Sequence, residues 1–69
     1  MPWRPKEVVA ALRRAGLVEV SQKGSHKKLR TPDGHAVIVP MHAADLKRGT
    51  LASILAQAGL TEDELDALR

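Results

Sequence analysis

The sequence contains no cysteine, no phenylalanine and no tyrosine, and its one tryptophan is Trp3. Without cysteine there is no disulfide framework and no thiolate to act as nucleophile or metal ligand. That suits a reducing compartment. With one aromatic ring, Leu, Ile, Val and Ala must fill the core, and bases have almost no side chain to stack on. No apolar run approaches the ~20 residues that span a bilayer. The opening MPWRPKEVV has neither the apolar stretch nor the small-residue cleavage site of a secretory signal. The expectation is a cytoplasmic protein that does not engage a membrane.

The length of 69 residues is read as one domain over residues 1–69. A chain this short buries only about 60% of the surface its unfolded state exposes, so the core is small. Net charge is +3, which attracts acidic partners but is not diagnostic by itself. The distribution is more telling. Four lysines or arginines and no acid lie between Gln22 and Arg30, while four acids and no base lie between Thr61 and Asp66.

Pro5 suits the first turn of a helix, where its missing N–H costs nothing. Val8, Val9, Leu12 and Ala15 then form one apolar stripe over Lys6–Ala15, and Gly16 ends it. Leu17–Ser21 is a candidate strand with Val18 and Val20 on one face. Lys23-Gly24-Ser25 is a turn, and His26–Thr31 a short polar strand. Pro32-Asp33-Gly34 signals a second turn. Ala36–Val39 is the most apolar strand, with Pro40 expected to stop its pairing.

Met41–Gly49 reads as a loop with a single helical turn around Ala43–Lys47. A second helix is expected over Thr50–Ala58, opened or capped by Thr50, with Leu51, Ile54, Leu55 and Ala58 facing the core and Gly59 ending it. Thr61 with Glu64 has capping-box spacing, and Leu60 with Leu65 has hydrophobic-staple spacing, so a short C-terminal helix follows. The fold class is α+β, in the order α-β-β-β-α plus that helix: a three-stranded antiparallel sheet with helices on one face. The other sheet face is left open.

Three segments, in order, resemble one known family. KGSH after the first strand, PDGHAVIVPMH, and DLKRGTLASILAQAGLTEDEL are similar to the HicA family of bacterial mRNA interferase toxins. These are the toxin halves of type II toxin–antitoxin pairs. The shared elements are G-S-H, V-P-x-H and G-T-L-x-x-I-L, and the resemblance runs from about Lys6 to Leu68. It implies a fold like that of double-stranded RNA-binding domains. It also implies mRNA as substrate, His26 as the catalytic residue, and a HicB-type antitoxin that binds and blocks the region around it. The chain has Leu29 where many relatives carry an aromatic residue, so recognition would rest on charge rather than stacking.

Metal-independent RNA cleavage needs a base for the 2′-hydroxyl, positive charge on the phosphoryl oxygens, and a proton for the leaving oxygen. Imidazole serves the proton work because both of its forms are accessible near neutral pH. Lys23, Lys27, Lys28 and Arg30 are the phosphate candidates. Gly24 permits close backbone approach, and the Ser25 hydroxyl offers a hydrogen bond to phosphate. On a strand, His26, Lys28 and Arg30 share one face, while Lys27 shares the other with Leu29. Such a row follows a nucleic-acid backbone, and its contacts position without specifying sequence.

The plainer alternative is an ordinary turn followed by a charged, solvent-facing strand that discourages edge pairing. His35 follows a turn and is expected to be solvated. His42 is a weaker candidate for a second proton donor. No metal site and no cofactor are expected: the three histidines are separated by nine and seven residues, matching no common ligand pattern. Two competing functions remain at this point. One is a non-catalytic module that recognises double-stranded RNA by shape and charge. The other is a protein whose main task is to pair with an acidic antitoxin.

Overall fold

Apolar periodicity and glycine punctuation account for most of the architecture. A computed structural model describes residues 2–69; Met1, the first residue of the expected domain, lies outside them. The order is α1 (Pro5–Arg14), β1 (Val18–Lys23), β2 (His26–Arg30), β3 (Ala36–Pro40), α2 (Arg48–Ala58) and α3 (Glu62–Ala67). The strands form one antiparallel sheet in the order β1-β2-β3, as the sequence leads one to expect.

Helix α1 buries Val8, Val9, Ala11 and Leu12 and leaves Lys6, Glu7, Arg13 and Arg14 in solvent. At its end Gly16, with φ +99°, lets Leu17 N–H donate back to the Leu12 carbonyl (3.0 Å). Helix α2 ends the same way, through Gly59 and a bond from Leu60 N–H to Leu55. In each case a left-handed residue satisfies carbonyls the helix would otherwise leave unpaired. The α3 capping box is reciprocal: Thr61 N–H donates to Glu64 Oε1 (2.9 Å), and Glu64 N–H donates to Thr61 Oγ1 (3.1 Å).

The core lies between the helices and one face of the sheet. Leu29, Val37 and Val39 from the strands meet Val8, Leu12, Ile54 and Leu65, all almost fully buried. Trp3 is also buried, its carbonyl accepting from Leu46 N–H (2.8 Å) and its ring covered by the Arg69 guanidinium at 3.7 Å. The one aromatic side chain that stacking would need is therefore committed to packing. Leu29→Ala should cost about 2–5 kcal/mol, a large share of the 5–15 kcal/mol typical of whole domains. Urea unfolding followed by circular dichroism checks this as a fall in midpoint.

Five expectations change. Pro40 does not stop β3; it is the last paired residue, opposite His26. Along β3 the backbone groups alternate sides. Ile38 N–H points outward and donates to Gln57 Oε1 (2.9 Å), whereas Met41 N–H points inward to the Ser25 carbonyl (2.6 Å). Pro40, two residues from Ile38, turns its missing N–H to the outer edge, where proline is tolerated. Strand β1 runs on to Lys23, so only Gly24 and Ser25 form the turn. Gly24 has φ +59°, the first central position where a II′ hairpin places its glycine.

Helix α2 starts at Arg48 with Lys47 as N-cap, so Thr50 lies inside the first turn and caps nothing. No helical turn forms at 43–47, which is bend and extended chain leading into that helix. Strand β1 also buries none of its residues. The register slips between Glu19 and Ser21, leaving Val20 as the extra residue of a bulge. Val18 and Val20 are at least half exposed.

Candidate active site

The tight Gly24-Ser25 turn sets where everything else at the site falls. It presents His26 as the first residue of β2, exposed, opposite Lys23 on β1 and Pro40 on β3. Because paired residues share a face, His26, Lys28 and Arg30 line the open side of the sheet with Lys23, Ser21 and Ile38 as cross-strand neighbours. The Arg30 guanidinium is partly engaged, donating to the Gly34 carbonyl at 3.0 Å. Lys23 and Lys28 take part in none of the salt bridges found among the described residues.

Lys27 is not brought to this row. It lies on the helix side of the sheet, where its Nζ sits 2.5 Å from Glu19 Oε1, and Arg13 approaches the same carboxylate at 3.7 Å. The Lys27 hydrogen bond, reinforced by the Lys27 and Arg13 charges against a smaller desolvation cost, holds the Glu19 carboxyl below its ordinary value. A depressed acid contributes stability above its unfolded-state value and loses it as pH falls through the folded one. Lys27→Met should therefore move the Glu19 titration upward in an NMR pH series.

Gly24 has open space around the position a Cβ would take, so its φ of +59°, rather than crowding, is what favours glycine there. Ser25 is half-buried, and its carbonyl accepts the Met41 N–H. That bond joins the residue before His26 to the residue before His42. The two rings come to 6.4 Å between centroids, edge to face at 77°. His42 also lines a shallow groove with Pro40, Asp45, Lys47 and Thr50, next to the N-terminus of α2, where no side chain caps the free N–H groups.

His35 is elsewhere. It sits in the opposite hairpin turn, exposed, with Nδ1 3.5 Å from Asp33. Among the described residues no three His, Asp or Glu side chains converge as metal ligands. No helix among them is long and apolar enough to cross a membrane.

Two neighbouring imidazoles beside free ammonium groups on an open surface are equipped for proton transfer next to a bound phosphate. Spacing along the chain singles out His26 and its basic row. It gives little weight to His42, whose signal is the Pro40-Met41-His42 run just past a strand paired to β2. A family described as the HicA toxin of bacterial toxin–antitoxin systems matches residues 5–60, from α1 through the end of α2. No curated protein matches the chain.

Proposed function

The chain belongs to the HicA toxin family, and from that membership we propose that it is the toxin of a type II toxin–antitoxin pair, acting in the cytoplasm as a metal-independent endoribonuclease on mRNA. One observation carries the reading: His26 is exposed at the start of β2, on the same open face as Lys23, Lys28 and Arg30. In this mechanism a neutral His26 nitrogen takes the proton of the ribose 2′-hydroxyl. The freed oxygen attacks the adjacent phosphorus, and the basic row stabilises the charge that builds on the phosphoryl oxygens. Gly24 and Ser25 let the phosphate approach the backbone beside the imidazole. Lys27, held by Glu19 on the other face, is assigned to keeping β1 in register rather than to contacting RNA. Sequence preference is weak, because phosphate contacts carry no base information.

A toxin of this kind has an antitoxin partner, and we take it to be of HicB type, acidic where it meets the basic row. The exposed Val18, Val20 and Ile38 favour the pairing function as a second role of this sheet. They supply the apolar part that a protein interface needs and an RNA interface does not. The functional reading is tested by inducing the chain in bacteria without its partner. Growth arrest with loss of full-length mRNA is expected from the wild type and not from His26→Ala at equal protein level. Equal arrest by both would count against the catalytic assignment and favour a binding module.

A further inference from the structure

We propose that His42 is the second catalytic residue, the general acid that protonates the leaving 5′-oxygen while His26 acts as base. The inference rests on the nuclease reading above and adds to it a residue the reading does not need. Three observations carry it. His26 pairs with Pro40 in the antiparallel β2–β3 ladder, and the turn after Pro40 is held against β2 by the bond from Met41 N–H to the Ser25 carbonyl (2.6 Å), so residue 42 comes diagonally across from residue 26. Both of those residues are histidines, with centroids 6.4 Å apart and planes at 77°. Both rings are exposed, so neither is spent on filling the core.

Mutual packing alone explains this poorly. The loop after β3 is already fixed by its backbone bond and by Leu46, whose N–H donates to the Trp3 carbonyl at 2.8 Å. A phosphate seated against both rings is within hydrogen-bond reach of each, about 2.6–3.2 Å. Lys47, which lines the His42 groove, adds positive charge on the leaving-group side, as Lys23 and Lys28 do beside His26.

The step balances without a further reactant. The His26 lone pair accepts the 2′-hydroxyl proton, and the 2′-oxygen bonds to phosphorus. The bond from phosphorus to the 5′-oxygen breaks with its electron pair on oxygen, and that oxygen takes the proton of the His42 imidazolium. The products are a 2′,3′-cyclic phosphate and a 5′-hydroxyl. A proton relay through solvent returns the two histidines to their starting forms.

The test compares an ordinary RNA with the same RNA carrying sulfur in place of the bridging 5′-oxygen at one cleavage site. A thiolate leaves without protonation because a thiol is far more acidic than an alcohol, with a pKa of about 8.5. His42→Ala and His42→Gln should cut ordinary RNA about 10²–10⁴-fold more slowly than wild type, yet cut the sulfur substrate at close to the wild-type rate. His26→Ala should be slow on both, and His35→Ala should match wild type on both. A His42 variant equally slow on the two substrates, or as fast as wild type on ordinary RNA, overturns the acid role, as does rescue of His26→Ala by sulfur. If the wild type cuts neither RNA, the nuclease reading itself falls and takes this assignment with it. Cleavage by wild type with unaffected His42 variants overturns this assignment alone.

Discussion

His26→Ala should lower the rate of RNA cleavage by about 10²–10⁴-fold and leave both the fold and most of the RNA affinity in place. The separation of these effects follows from where the side chain is. His26 is exposed, and its position in β2 is held by backbone pairing to Lys23 and Pro40 rather than by its ring. Surface substitutions of that kind usually change stability by less than about 0.5 kcal/mol. Affinity comes from charge, and the variant keeps Lys23, Lys28 and Arg30. Gel shift and thermal melting should therefore resemble wild type while the cleavage assay does not. A variant that loses binding in step with cleavage would mean the imidazole holds RNA rather than acting on it.

The second large effect concerns the basic row. Replacing Lys23, Lys28 and Arg30 together by alanine takes the net charge from +3 to zero and strips the open face of its cations. Each phosphate contact to single-stranded RNA contributes about 0.7 to the slope of log affinity against log salt. The triple variant should thus flatten that slope by about 2 and bind far more weakly at low salt. Arg30 is expected to account for the smallest part, since its guanidinium already donates to Gly34. Lys27→Ala is the internal control: its charge is spent on Glu19 on the far side of the sheet, so the slope should hold. Filter binding across a salt series compares the wild type, the triple variant and Lys27→Ala. An unchanged slope in the triple variant would move the RNA to another surface, with the α1 and α2 N-terminal cations next in line.

Local chemistry explains why much of this was legible in the chain. The helix α1 stripe, the Thr61–Glu64 box and the two helix-ending glycines each act within a few residues. The alternation of His26, Lys28 and Arg30 against Leu29 depends only on the pleat. What could not be read depends on pairing between distant segments. Nothing near Pro40 says which side of β3 is the outer edge. The bulge at Val20 sets Glu19 against Leu29 on the helix side, within reach of Lys27, and a bulge has no signature in VEVSQK. Helix α2 opens on Lys47 without a side-chain cap, so Thr50 drew the boundary two residues too late. The meeting of His26 and His42 depends on the pairing of His26 with Pro40 and on the bond between Ser25 and Met41, which only the assembled sheet supplies.

The most direct measurement is the chemistry of the cut ends. End-labelled mRNA is incubated in EDTA with purified wild type and, beside it, His26→Ala, and the fragment termini are identified. The expected result is cleavage by the wild type alone, with 2′,3′-cyclic phosphate or 3′-phosphate at one end and a 5′-hydroxyl at the other. Equal cleavage by both proteins, or 3′-hydroxyl with 5′-phosphate ends, would contradict a metal-free histidine mechanism centred on His26.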